Sequence, residues 1–222
     1  AFHRSFVGLT GAPEDIRTML KRIDDLGTWK SYNHYPIGWA HTMCTPFQWT
    51  KQVASHFGGT RNPAIVHWPA RIKAKGELRS QFHHVIDVAA TVLDASGLPE
   101  PKSVNGTVQR PLDGISMVYT FDDAKAADRR KTQYFEMFGN RAIYHDGWVA
   151  AARHSIPWLA NAPLPPFDQD RWELYNVAED FSQSSDLAGQ NPQKLKELQE
   201  VFTREAIKNH VYPLDDRRVE RF

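Results

Sequence analysis

Ten histidines, one cysteine and a scatter of lysines and paired acids are the side chains in this 222-residue sequence that can carry acid, base, nucleophile or ligand chemistry. Spacing decides which of them can act together. Lys51 and His56 lie five residues apart within residues 46–57, a stretch that opens on Pro46, closes on Gly58-Gly59 and so reads as a helix. On a helix the two share nearly one face. Taken alone, Lys51 reads as a solvated lysine and His56 as a hydrogen-bonded histidine near a helix end. His41 stands close after Trp39 in an aromatic stretch. Adjacent His83 and His84 point to different faces of a helix, which excludes a pair of metal ligands at i, i+4 spacing. Asp24-Asp25, Asp122-Asp123 and Asp215-Asp216 are isolated pairs without convergent oxygen ligands and read as solvated turns. No metal-ligand set is expected within the chain. Arg61 reads as a tie to backbone carbonyls or carboxylates.

The elements that must position these residues follow from apolar periodicity. Residues 13–26 read as a helix, with Ile16, Met19, Leu20 and Ile23 at helical spacing and Gly27 ending it. Residues 28–39 read as aromatic loop. Residues 64–68, a short apolar run closed by Pro69, read as a buried strand of parallel type. Residues 82–96 place Val85, Ile86, Ala89, Val92 and Leu93 on one stripe and stop at Gly97, which predicts a helix packed on that strand. Beyond Gly114 the texture changes to short β-rich runs over 115–121, 133–138, 141–145, 148–153 and 172–177, with Asp146-Gly147 as a hairpin turn. The proline-rich stretch 156–167 reads as an excursion between strands. A last helix is predicted over 192–209, capped by Asn191, with Pro192 in its first turn and Leu195, Leu198, Val201 and Phe202 on one face. The expectation is an α/β chain: part of a parallel sheet over 1–113, then a small antiparallel sheet packed by a C-terminal helix over 114–222.

Composition narrows the partners. The chain has 41% hydrophobic and 24% charged residues, enough to bury an ordinary core. Lysine and arginine total 27 against 26 acidic residues, which excludes the positive field that non-specific nucleic-acid binding needs. No apolar run approaches the roughly 20 residues of a membrane span. A single cysteine, Cys44, forms no disulfide within the chain, so a cytoplasmic location is permitted. The sequence starts without methionine and stops in a charged stretch, and both ends read as cut.

Three blocks carry a resemblance. Thr45-Pro46-Phe47-Gln48-Trp49-Thr50-Lys51-Gln52-Val53-Ala54-Ser55-His56-Phe57-Gly58-Gly59-Thr60-Arg61-Asn62-Pro63 resembles the segment of bacterial arylsulfatases that ends in a Gly-Gly-x-Arg turn and enters a core strand. Val85-Ile86-Asp87-Val88-Ala89-Ala90-Thr91-Val92-Leu93-Asp94-Ala95-Ser96-Gly97 is similar to the helix that follows. Trp172-Glu173-Leu174-Tyr175-Asn176-Val177-Ala178-Glu179-Asp180, closing with Asp186-Leu187-Ala188, is similar to the family's late strand and turn. The blocks come in the family's order.

The resemblance implies an alkaline-phosphatase-like fold in which a formylglycine hydrate attacks the sulfur of a small-molecule sulfate ester beside a calcium ion. It implies that Lys51 contacts the sulfate oxygens, that His56 lines the substrate pocket, and that His41, near Trp39, meets an aryl group. Cys44-Thr45-Pro46 imitates the start of the family's Cys-x-Pro-x-Arg nucleophile motif, but Gln48 stands where the arginine belongs. The formylglycine and the calcium ligands are therefore expected outside this chain, which alone should be inactive. Two other readings stay open: a phosphate or phosphonate ester hydrolase of the same superfamily, and a short non-catalytic product acting as a binding module.

Overall fold

A computed structural model of the chain describes residues 16–25, 27–30, 37–159 and 162–217. Its centre is a four-stranded antiparallel meander of β3 (Thr132–Met137), β4 (Asn140–His145), β5 (Trp148–Ala152) and β6 (Trp172–Asn176), paired in that order. Opposed residues such as Tyr134 and Ile143, Ile143 and Ala150, and Ala150 and Leu174 fix the register. Asp146-Gly147 closes the β4–β5 hairpin with φ of 44° and 82°, the left-handed pair that a two-residue turn between twisted strands requires. The four strand runs expected after residue 133 are all present, and residues 156–167 leave and rejoin the sheet between β5 and β6 as expected.

Period-two alternation sends the strand side chains to two covered faces. On one face Ile143, Ala150 and Leu174 pack against Leu198, Val201, Phe202 and Ala206 of α5 (Pro192–Lys208). That helix presents the apolar face its sequence predicts. On the other face Ala142, Tyr144, Val149, Ala151 and Tyr175 receive Phe57, with Phe47 and Phe82 alongside. Phe82 and Tyr144 stack with ring centroids 3.7 Å apart. The small sheet therefore supplies the floor on which the segment around Lys51 rests.

The N-terminal half departs from expectation. Helix 13–26 is realised as α1 (Ile16–Lys21) followed by a 3₁₀ turn at Ile23–Asp25, with residues 13–15 and Leu26 outside the described set. The aromatic loop is interrupted by α2 (Ile37–Cys44), while residues 31–36 lie outside the described set. Residues 46–56 are turns rather than helix, because Trp49 and Gln52 take left-handed φ of 67° and 73°. Gly58-Gly59 does not end a helix but lies within the short α3 (Phe57–Thr60). Residues 64–68 run without a paired strand among the described residues, and Ile65 is 94% exposed. Residues 103–104 and 107–108 form a two-stranded ribbon, β1 and β2.

The helix expected over 82–96 is α4 (Asp87–Ala95), and its buried face is the polar one. Val85, Val88 and Val92 face solvent while Asp87 and Thr91 are buried. His83 and His84 precede the helix instead of sitting on it. The inversion follows from the Asp87 carboxylate, which cannot be buried without partners. Arg130 grips both its oxygens, Nε donating at 3.1 Å and the terminal nitrogen more closely, and the amides of Ile115 and His84 donate at 2.8 and 2.9 Å. The Met117 amide donates to Thr91 Oγ1 at 2.9 Å. Residues 115–121, expected as a strand, spend two of their amides on α4 in this way and continue as a 3₁₀ turn at Val118–Thr120.

Burial alone would raise the Asp87 carboxyl, but Arg130 and the two amides outweigh it and hold the group below its ordinary value. Its contribution is thus fully present above the unfolded carboxyl value of about 3.9 and is lost as pH falls below that through the folded value. Asp87→Ala strands a buried guanidinium and should lower unfolding free energy by about 3–5 kcal/mol in denaturant melts at pH 7. The difference from wild type should shrink as pH falls below about 3.9. A deficit under about 1 kcal/mol at pH 7 would show that the Arg130 contact is dispensable.

Candidate functional site

Lys51 occupies the exposed tip of a turn whose neighbours are fixed. Thr50 and Val53 on either side are buried, and Val53 is fully so. Trp49 and Gln52 hold left-handed backbone conformations, which cost a non-glycine residue on the order of 1–3 kcal/mol each unless the surroundings impose them. The surroundings do. Gln52 O accepts from Asn140 Nδ2 at 3.2 Å, the Phe57 amide donates to Gln183 Oε1 at 2.7 Å, and Gln48 Nε2 donates to the Gln183 carbonyl. Cys44, at the end of α2, donates to Thr50 Oγ1 at 3.4 Å. Gly58 and Gly59 are required by closeness, since a Cβ on Gly58 would overlap the carbonyl oxygens of Gln48 and Trp49, and one on Gly59 that of Val53.

Asn140 is the hub. It is fully buried and uses its whole hydrogen-bonding capacity: Nδ2 donates to Gln52 O and to Ser155 Oγ at 3.1 Å, while Oδ1 accepts the amides of His154 and Ser155 at 2.9 and 3.0 Å. The Lys51 turn and the chain leaving β5 are thereby pinned to one side chain.

His56 sits beneath this turn, not beside Lys51 on a helix face. It is buried, with Nε2 donating to Glu173 Oε2 at 2.8 Å and Nδ1 placed 2.9 Å from Ser55 Oγ to accept its hydroxyl. Tyr175 donates to the same carboxylate at 3.1 Å. The His56 hydrogen bond pulls the Glu173 carboxyl below the usual range against the opposing effect of burial. Burial, then the Glu173 charge, pushes the Tyr175 phenol up, so it stays a donor. This buried set anchors the turn and leaves His56 no free ring nitrogen. His41 lies on α2, exposed and without a hydrogen bond or ion pair among the described residues. The ammonium of Lys51 likewise has no such partner among the described residues. The structure thus brings Lys51 and His56 together as tip and anchor, and places His41 on the helix whose last residue bonds the same turn.

Arg61 ties to a backbone carbonyl as expected, and to a cluster of rings as well. Its guanidinium lies 4.0 Å from the Phe181 ring centroid, with Phe57 and Phe47 at 5.1 and 5.3 Å, and it donates to the Phe181 carbonyl.

A second polar cluster is closed. Buried His154 meets Asp170 at 2.9 Å through Nδ1 and Asp216 at 3.2 Å through Nε2, and Arg141 pairs with Asp170 at 2.5 Å. Asp216 is therefore not a solvated turn residue but a tie to β5's exit. Asp25, Asp122 and Asp215 also have ionic partners, in Arg22, Arg71 and Arg217. Among the described residues no group of three or more His, Cys, Asp or Glu could hold a metal ion.

Sequence reasoning did not reach Asn140, Gln183, Glu173 or Tyr175. Only the last two carry a signal: two positions apart on a strand, they share a face.

The chain is similar to known sulfatases. The family model described as N-sulphoglucosamine sulphohydrolase, C-terminal, matches residues 49–210. An uncharacterized sulfatase of Schizosaccharomyces pombe is 28% identical over 184 residues, covering 81% of this chain and 31% of that protein. The N-acetylglucosamine-6-O-sulfatase of Bacteroides thetaiotaomicron is 28% identical over 146 residues, covering 64% and 24%. The N-acetylgalactosamine-6-sulfatase of Mus musculus is 29% identical over 147 residues, covering 66% and 23%. The chain thus spans about a quarter to a third of the curated relatives it matches. A solved structure from work on glycosaminoglycan metabolism by Bacteroides thetaiotaomicron shares the fold with a TM-score of 0.50 at 21% identity, covering 71% of this chain and 31% of its own.

Two substitutions test the clamp. Asn140→Asp keeps the acceptors for the two amides but removes the donors to Gln52 O and Ser155 Oγ, and should cost about 1–3 kcal/mol in unfolding free energy. Gly58→Ala should cost roughly 3 kcal/mol, the upper range for overpacking. Gly189→Ala, where a Cβ meets nothing within 4 Å, is the control and should stay within about 0.5 kcal/mol of wild type. Equal melts for Gly58→Ala and Gly189→Ala would refute the close approach of α3 to the turn.

Proposed function

This chain belongs to the N-sulphoglucosamine sulphohydrolase C-terminal family of sulfatases, and from that premise we propose that it is part of a sulfuric ester hydrolase to which it contributes Lys51 as the contact for the sulfate group. The observation that carries the reading is the placement of Lys51 at the exposed tip of a doubly strained, side-chain-clamped turn, without an anionic partner among the described residues. A lysine that served only solubility would need no such support.

The chemistry asks for this. As a sulfuryl group transfers, its non-bridging and leaving oxygens gather charge, and a cation already fixed in place stabilises that charge with little reorganisation. His56 and Glu173 act through the turn, as positioning residues. The calcium ion implied by the arylsulfatase resemblance finds no fitting ligand set among the described residues, and we assign its ligands and the formylglycine to residues outside this chain. Cys44 fits poorly as the formylglycine precursor, since Gln48 stands where the family's motif has arginine. The substrate is a small sulfate ester, for which an aryl group is our reading and a sulfated amino sugar is what the names of two relatives suggest.

The test is steady-state kinetics of the intact enzyme. Lys51→Ala should lower kcat about 100-fold, or roughly 3 kcal/mol, and change KM much less. Lys51→Arg should rescue only partly, because a planar fork differs in reach from a compact ammonium. Circular dichroism should be unchanged in both. Assaying a phosphate monoester beside the sulfate ester decides which anion the lysine serves. Near-normal turnover by Lys51→Ala would remove this residue from the mechanism.

A further inference from the structure

Beside Lys51 the same clamp presents a second cation and two indoles. Arg153 leaves the end of β5 immediately before His154 and Ser155, whose amides are held by Asn140, and Asn140 also holds Gln52, the residue after Lys51. Lys51 and Arg153 therefore project from segments pinned to one buried side chain. The Arg153 guanidinium lies over the Trp49 ring, 4.9 Å from its centroid, and is exposed without an ionic partner among the described residues. Trp158, from the excursion between β5 and β6, places its ring 6.2 Å from that of Trp49 at 31°, and 44% of the residue is exposed. Trp49 is itself two residues before Lys51, so their Cα atoms lie within about 7 Å of each other.

An exposed tryptophan beside a half-buried one that carries a cation over its ring is a surface for a flat ring that carries negative charge. Neither the fold nor the anchoring set requires it: among the described residues Arg153 bonds no carboxylate, and Trp158 leaves much of its surface in water. The geometry points to a substrate subsite in which the ring of an aromatic sulfate ester stacks on Trp158 and Trp49 while a second anionic group on that ring meets Arg153. This rests on the reading of Lys51 as the contact for the ester sulfate, and it names the substrate class as aryl sulfates bearing a second negative charge.

Kinetics of the intact enzyme with three esters separate the parts. Trp158→Ala should lower kcat/KM for phenyl sulfate and for 4-carboxyphenyl sulfate about 10-fold, and leave hexyl sulfate within about 2-fold. Arg153→Gln should lower kcat/KM for 4-carboxyphenyl sulfate about 10-fold and spare the other two, with Arg153→Lys recovering part of the loss. Equal effects on all three esters, or none, would overturn the subsite. Binding of 4-sulfobenzoate, which is not hydrolysed, followed by tryptophan fluorescence, reads the subsite without turnover. Binding weakened about 10-fold in both variants supports it even if no ester is hydrolysed, an outcome that would sink the Lys51 reading alone. Binding that is absent in wild type or equal in the variants overturns it.

Discussion

Val53 and Phe57 are buried beside the Lys51 turn, but the geometry of that turn depends on one buried amide. Asn140 opens β4, one of the two inner strands, and each of its four hydrogen-bonding positions is filled by a different group. A buried asparagine left half satisfied would cost more than an apolar residue in its place, whereas a fully satisfied one specifies a single arrangement. Two left-handed residues in four positions would relax if that arrangement failed, since nothing in Trp49 or Gln52 prefers positive φ. The sheet is therefore the source of precision for a loop distant from it in sequence.

The sheet can serve this role because its two faces are used differently. One is closed by α5 through a continuous apolar contact, which supplies the non-directional part of the stability. The other combines Phe57 and Tyr175 with hydrogen-bonded pairs, of which His56 with Glu173 and Gln183 with Phe57 reach the turn directly. Hydrophobic burial would tolerate a slip of the loop by an ångström; these bonds would not. Direction comes from the polar face and mass from the apolar one.

What was legible in the sequence follows the same division. The strands of the meander, the Asp146-Gly147 turn and the apolar face of α5 announce themselves because alternation and helical period measure what hydrophobic burial selects. Residues 46–57 carry good local signals for a helix, Pro46 at one end and two glycines at the other, yet long-range bonds from Asn140 and Gln183 override them. Residues 85–93 show the opposite failure. Val85, Ile86, Ala89, Val92 and Leu93 trace a stripe that periodicity assigns to the core, but the side chain that governs orientation is Asp87, whose partner Arg130 is 43 positions away. An ion pair across such a distance leaves no pattern in a single sequence. The role proposed for Lys51 likewise draws on resemblance to a family, because an exposed lysine in a turn has no local signature.

Two carboxylates bonded to the clamp's neighbours are already committed, which bears on why its cations remain available. Glu173 is taken by His56 and Tyr175, and Asp170 by Arg141 and His154, so neither is left to neutralise Lys51 or Arg153. Availability alone does not make a strong site. Two charges 4 Å apart attract by about 1 kcal/mol in water and about 4 kcal/mol at an effective dielectric near 20. The roughly 3 kcal/mol that a preorganised donor contributes to a transition state belongs to the second regime. In its proposed role Lys51, exposed at the tip of its turn, would reach that regime only when water is displaced around it. A ring seated on Trp158 and Trp49 would displace part of that water while bringing the ester to the ammonium, so that the body of the substrate raises the strength of the interaction that acts on its sulfate. On this account binding of the ring and acceleration of the chemistry are coupled through the local dielectric, and the indoles and the lysine are parts of one device.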